Sequence, residues 1–280
     1  MIRRNLKLFL RDRAGVFFSF LAVIILFALY VLFLGDVVSS GLPFENANIL
    51  IASWVMAGVV AIATTTTTMG AFGIMVDDRS HHIDKDFYAS PIQRWKITAS
   101  YLLNAILVGL MMTLLTFVFA EVYIVLKGGN ILAAIPMLQM LGAILLSVVC
   151  SCSMIFLLTS FFHSQGAFSA ASSVLGTMIG FLTGMYIPIG TLPEAIGYVI
   201  KFFPLSHTVA LTRQIFLEAP MSEAFASVPP EAMQEFQESM GVYYWYGSAK
   251  METWGSIVIL LITTVVFFGL STWNMSRKRT

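Results

Sequence analysis

Residues 77–96 read Asp77-Asp78-Arg79-Ser80-His81-His82-Ile83-Asp84-Lys85-Asp86-Phe87-Tyr88-Ala89-Ser90-Pro91-Ile92-Gln93-Arg94-Trp95-Lys96, with a long apolar run on either side. Charge is scarce in the rest of the chain, which is 58% hydrophobic and 11% charged. Soluble domains carry about 25% charged residues, and a core of this size could not hide so much apolar surface. The chain therefore reads as an all-α integral membrane protein, a single transmembrane domain over 1–280. A charged island between two membrane runs must stay in water.

The run before the island, 49–76, would be about 42 Å long as a helix, longer than the hydrocarbon, so it tilts or projects. It contains Thr64-Thr65-Thr66-Thr67-Thr68, which covers every face of a helix. Two uses fit these hydroxyls. Each can bond the carbonyl one turn back, or part of the run (Thr64, Thr65 and Thr68, with Met69) can line a substrate path. After the island, Ser90-Pro91 has the form of a helix start, Ser as cap and Pro at the first position. A span over 97–126 follows. Glu121 falls near its far boundary and reads as an interface residue rather than an ion-coupling carboxylate.

A fourth span covers 131–162 and a fifth 168–187. In the fifth, Ser172, Gly176, Gly180 and Gly184 recur every four residues, a small-residue stripe suited to close helix packing. Ser169, Ser173 and Thr177 make one side polar, and Ser173 and Thr177 join the candidate path. Residues 188–252 are the longest polar region. Its first part holds two pieces, 193–203 and 206–218, each too short to cross a bilayer, which reads as re-entrant or surface helices. Pro229-Pro230 opens another short helix that Gly241 ends. A sixth span covers 253–274, with Trp254 and Trp273 about 28 Å apart along a helix, one at each interface.

At the N-terminus, Ile2, Leu6, Phe9 and Leu10 face away from Arg3, Arg4, Lys7 and Arg11, as in an amphipathic surface helix over 1–13. The first span, 14–34, holds fifteen Leu, Ile, Phe or Val residues, which favour insertion by about 5–9 kcal/mol. It is longer than a signal peptide's apolar segment. The turn at 36–48 carries Gly41 and Pro43. Twelve basic residues lie in the two ends and the charged island, against Lys127, Lys201, Arg213 and Lys250 elsewhere. That asymmetry places six spans with both termini and the island cytoplasmic, and an acidic cap outside, in the plasma membrane.

Cys150 and Cys152 face different directions on a helix and read as buried thiols, not a disulfide or metal knuckle. His81-His82 with Asp84 and Asp86 suits a solvated protein-docking face better than a metal site. His163 and His207 read as local capping or packing residues. Net charge of +1 argues against a nucleic-acid partner. No Gly-x-x-x-x-Gly-Lys-Ser/Thr occurs, so the chain cannot cradle ATP phosphates itself.

Taken in order, Asn5-Leu6-Lys7-Leu8-Phe9-Leu10-Arg11-Asp12, the island closing on Ser90-Pro91, Ile187-Pro188 through Leu192-Pro193, and Phe203-Pro204-Leu205-Ser206-His207 on to Arg213 resemble the permease subunit of type-2 ATP-binding-cassette exporters. That family is related in fold to the G-subfamily transporters. The resemblance implies a dimer with a second permease, the same or related, and a path at their interface, set among membrane lipids. It also implies a connecting helix at the start, a coupling helix in 77–96 and re-entrant helices after span five. Two separate P-loop ATPase subunits would bind ATP and Mg, with no cofactor on this chain. With its short N-terminus, the chain is expected to be the version in which no ATPase is fused before the membrane part. Asp77, Asp78, Arg79, His81, His82, Asp84, Lys85, Asp86 and Phe87 are the expected coupling residues. The expected cargo is apolar or amphipathic: a drug, a peptide antibiotic or a lipid-like molecule. An ATP-independent transporter or channel is the alternative, and an intramembrane enzyme fits less well, because midplane charge and a catalytic constellation are lacking.

Overall fold

A helix that is apolar on every face belongs inside a protein rather than at its edge, and residues 47–80 are such a sequence. The computed structural model describes residues 1–29, 47–226, 228–247 and 249–277. The expected far end of span one, most of the turn after it, and Lys278 and Arg279 lie outside the described residues. In chain order come α1 (Ile2–Arg11), α2 (Arg13–Leu29), α3 (Ala47–Ser80), α4 (Ile83–Ala89), α5 (Arg94–Leu126), α6 (Ala134–Thr159) and α7 (Gln165–Leu182). A 3-10 turn (Ile189–Thr191) follows, then α8 (Glu194–Phe202), α9 (Pro204–Ala224) and α10 (Pro230–Ser239). A two-residue ladder of β1 (Trp245–Tyr246) and β2 (Ala249–Lys250) precedes α11 (Thr253–Arg277).

The pillar is α3. It packs against α2, α5, α6, α7 and α9, while α11 lies outside on α6 and α9. The most apolar window of α3 is 94% buried, against 22% for that of α11. Ala52, Ala57, Gly58, Ala61 and Ala63 keep its surface thin, so neighbours approach closely. At Gly109 of α5, an added Cβ would lie 2.6 Å from Thr68 Cγ2 and 3.0 Å from Val148 Cγ1, so α3, α5 and α6 meet there.

Among the described residues, α3, α5, α6 and α11 are long and apolar enough to cross a membrane, and the α8–α9 pair would make a fifth span if taken as one. The chain is thus a multi-pass, all-helical membrane protein apart from its small ladder. Asp77 to Ser80 belong to α3, so the pillar runs four residues into the charged island. Ala47 and Asn48, expected in a turn, begin it.

Two expected helix starts are corrected. Ser90 does not open the next helix: it closes α4, its hydroxyl donating to the Phe87 carbonyl at 2.6 Å, and α5 begins at Arg94. Likewise Ser206 lies inside α9, donating back to the Phe203 carbonyl at 2.6 Å, while Pro204 holds the first turn. The residue before a proline is driven into extended backbone. Phe203 (φ −77°, ψ 122°) is, and there α8 and α9 turn by 88°. The second piece is 21 residues, not a dozen, because Pro220 in its last turns removes a donor without ending the helix.

At the Trp54 end of α3, Arg213 of α9 is completely buried. Its Nη2 donates to the Gly184 carbonyl at 2.9 Å and its Nη1 to the Met240 carbonyl at 3.0 Å, while the guanidinium lies 4.2 Å over the Trp54 ring. Trp54 Nε1 donates to the same Met240 carbonyl at 2.7 Å. Gly184 (φ +63°) and Gly241 (φ +62°) sit in left-handed turns that only glycine adopts cheaply, and these turn the carbonyls toward Arg213. One side chain thus ties α3, α9, the end of α7 and the chain after α10. Arg213→Leu takes the donor from the Gly184 carbonyl and one of the two donors from the Met240 carbonyl, a loss of about 1–3 kcal/mol. It should lower the thermal midpoint of the purified protein well below that of Arg3→Ala on the exposed face of α1. Equal midpoints for the two variants would remove Arg213 as a staple.

Candidate functional site

The basic face of α1 is formed by Arg3, Lys7 and Arg11, all exposed, with Phe9 buried opposite. Arg4, expected on that face, turns inward. Its Nη1 and Nη2 donate to Asp78 Oδ2 and Oδ1 at 2.7 and 2.8 Å, a bidentate pair, and Nη1 also donates to Asn5 Oδ1 at 3.0 Å. Tyr101 of α5 donates its hydroxyl to Asp78 Oδ2 at 2.5 Å. Hydrogen bonding to the Asp78 carboxylate raises the Arg4 guanidinium above its ordinary range, so the cation persists at any physiological pH. The Arg4 guanidinium also lies 5.1 Å from the centre of the Phe87 ring on α4. Four elements, α1, α3, α4 and α5, meet at this one clamp.

The neighbouring residue points elsewhere. Arg79 donates to the Thr159 carbonyl at the end of α6 (3.1 Å), and the next residue, Ser160, accepts from Asn274 Nδ2 of α11 at 2.6 Å. Asp78 and Arg79 therefore fan the base of the pillar out to both sides of the molecule. Of the remaining expected coupling residues, His81, His82, Lys85 and Asp86 are exposed, and Asp77, Asp84 and Phe87 are half-buried. Asp77 faces His81 at 3.2 Å. His82 makes the turn between α3 and α4 in the left-handed conformation (φ 61°). Asp84 and Asp86 fall in the first turn of α4, where the helix dipole favours negative charge. Asp78 is 2% exposed and is occupied inside the subunit.

From this clamp a groove of about 960 Å³ extends along α3 and α7. Its mouth is polar, with Arg4, Asp12, Asp77 and Asp78; further along it is lined by Thr66, Met69, Ser173, Gly176, Thr177 and Tyr186. Met69, Ser173 and Thr177 thus share one surface. Thr64, Thr65 and Thr68 do not reach it. Thr65 and Thr64 pair with Ser151 of α6 at 2.9 and 3.3 Å, and Thr68 donates to the Thr64 carbonyl at 2.7 Å. Thr66, the member of the run that does line the groove, donates back to the Ile62 carbonyl at 3.2 Å.

The small-residue stripe divides into separate roles. A Cβ on Gly176 would meet nothing within 4 Å, and Ser172 lines the groove. Gly180 leaves room for the Tyr186 ring of the same chain, whose carbons would lie 2.1 Å from a Cβ there. Gly184 lies past the end of α7 and closes it, with Met185 N bonded to the Gly180 carbonyl at 3.1 Å. Within one subunit, then, and among the described residues, α7 borders open space at Gly176, while the Ser172 hydroxyl is buried.

Other polar residues are local. Glu121 accepts from Leu132 N at 3.2 Å and holds the turn between α5 and α6. His207 bridges Ser256 of α11 (3.1 Å) and the Lys201 carbonyl (3.1 Å). Cys150 and Cys152 are free and buried. Among the described residues, no three His, Cys, Asp or Glu side chains gather as a metal site.

The sequence alone missed Tyr101 and the inward turn of Arg4, because the pair joins residues 74 apart. The available signal was Asp78 itself, a carboxylate two residues beyond an apolar run and in need of a cation. Losing Arg4 leaves that carboxylate buried beside Tyr101 alone, which is worse than losing both charges. Arg4→Met should therefore destabilise the purified protein by about 2–4 kcal/mol, and Asp78→Asn added to it should restore part of the loss. Additive losses in the thermal midpoints would show that the two side chains act independently.

The profile of a family described as ABC-2 family transporter protein matches residues 59–273, from the middle of α3 to near the end of α11. No curated protein sequence matches the chain. The match covers well over half of the chain, which therefore belongs to the ABC-2 family of membrane transporter proteins.

Proposed function

We propose that this chain is the permease of an ATP-driven exporter of the type-2, G-subfamily-like class. Two six-span permeases, identical or related, enclose a path for an apolar or amphipathic substrate, and two separate P-loop ATPases hydrolyse ATP with Mg. The charged end and both termini face the cytoplasm, and α4 is the coupling helix. The observation that carries this reading is the continuity of α3. One unbroken 34-residue helix bears the docking end at Asp77–Ser80 and lines the groove at Thr66 and Met69. A push on α4 is delivered through Phe87, Arg4 and Asp78 to that helix and, by the fan of Arg79, to α6. A path of Thr, Ser, Met and Tyr suits cargo without strong fixed charge.

Affinity purification from native membrane tests the class: a co-purifying P-loop ATPase is expected, and transport by the chain alone in ATP-free vesicles would point to a secondary transporter or channel instead. Within the complex, Lys85→Ala with Asp86→Ala, both exposed on α4, should lower transport per ATP hydrolysed about tenfold while insertion and thermal midpoint stay unchanged, as the loss of one or two charged docking contacts predicts. Unchanged coupling would remove α4 as the docking element.

Gly176 has open space in one subunit, so Gly176→Leu should leave the subunit folded but reduce permease pairing in cross-linking. Full pairing would place the partner on another face.

A further inference from the structure

A second crevice, of about 330 Å³, lies between α2, α3 and α5 at the Lys127 end of α5. Its floor is Met56, Val59 and Ala120, each at most 1% exposed, while its rim residues Phe119 and Leu126 are 52% and 79% exposed. Thr116 is its only lining hydroxyl apart from Tyr123, and that group is committed to the Met112 carbonyl at 2.9 Å. A crevice opening sideways at membrane depth offers water no partners, and empty walls forfeit dispersion contacts. A flexible hydrocarbon chain satisfies both conditions.

The mouth has a built polar end. Tyr123 is held edge-on by Phe27, with ring centres 5.0 Å apart, and the Lys127 ammonium lies 5.9 Å from the centre of the same ring. Lys127 caps the end of α5 just before the Gly128–Gly129 turn, at the level where a span meets headgroups. Other cations at this end of the molecule are occupied. Lys201 donates to the Trp245 carbonyl at 2.9 Å, Arg213 is buried against carbonyls, and Lys250 lies 3.6 Å from the Tyr243 ring. Lys127 is exposed, and among the described residues no carboxylate stands within ion-pair range of it.

We propose that this crevice is a binding site for an anionic glycerophospholipid, one acyl chain lying over Met56 and Ala120 and the phosphate against Lys127. The site shares no lining residue with the α7 groove, and it stands whether or not the chain is driven by ATP.

The test uses the purified full chain in phosphatidylcholine vesicles doped with phosphatidylglycerol that carries a photoactivatable acyl chain, with adducts mapped by mass spectrometry. Adducts on Met56, Phe119 or Tyr123 should exceed those on Val265, a lipid-facing residue of α11 that is 72% exposed. Unlabelled phosphatidylglycerol should compete better than phosphatidylcholine, and Lys127→Glu should reduce that headgroup preference about fivefold. Ala120→Phe, which fills the floor, should abolish the crevice adducts; if it fails to fold, Lys127→Glu decides alone. Labelling no greater than at Val265 would mean that protein closes the crevice, and equal competition by the two lipids would remove the anionic headgroup. Either result overturns the site.

Discussion

The helices around α3 pack closely under one constraint: a helix buried on all sides must be thin and must satisfy most of its own polar groups. Alanine and glycine provide the thinness over residues 52–63, and the threonines that follow provide a second solution. Thr67 and Thr68 return their hydroxyl hydrogens to α3's own carbonyls, at 2.6 and 2.7 Å. Thr65 turns instead to Ser151, so α3 and α6 are joined by a buried hydroxyl pair. A run of larger or less self-sufficient side chains would hold the neighbours apart or leave donors unpaired, each at a cost of about 1–3 kcal/mol. Packing of the other helices follows from that.

The two ends of the pillar are fixed by different chemistry. At the charged end an ion pair with a phenol, Arg4–Asp78–Tyr101, connects three helices, with Phe87 bringing in a fourth. At the other end the two terminal nitrogens of Arg213 donate to carbonyls presented by turns at Gly184 and Gly241. A bidentate pair at the edge of water can be remade with other partners as elements shift, because one of its members is still a third exposed. A guanidinium enclosed by carbonyls and an indole has no such freedom. The charged end is therefore the better placed of the two to move against its neighbours.

Under the proposed coupling role of α4, this asymmetry has a use. The short helix α4 hangs on the charged end, and the groove begins there, between the pillar and the Gly176 side of α7. A displacement at α4 reaches the groove wall through covalent helix rather than through a chain of loose contacts. Beneath the mouth, Asp12 accepts from Gly15 N at 2.9 Å and so caps α2, fixing where the surface helix hands over to the membrane.

Composition and periodicity by themselves determined that the chain is helical and membrane-embedded, where most helices run, and that 77–96 is a charged island between two apolar runs. Those are properties of stretches, set by transfer free energy and by local backbone preferences such as the break at Phe203-Pro204. They also read His207 as a local capping or packing residue and Glu121 as a residue at the far boundary of its span. Tertiary structure decided everything that depends on which residues meet across long separations. It turned Arg4 and Asp78 inward, gave Thr64, Thr65 and Thr68 to packing while Met69, Ser173 and Thr177 share a groove, and divided the glycine stripe among an open face, a pocket for Tyr186 and a helix end. It also made Arg213 a staple. The reason is physical: whether a polar side chain near a membrane boundary faces water or the interior depends on whether a distant partner arrives to satisfy it, and no local pattern encodes that arrival.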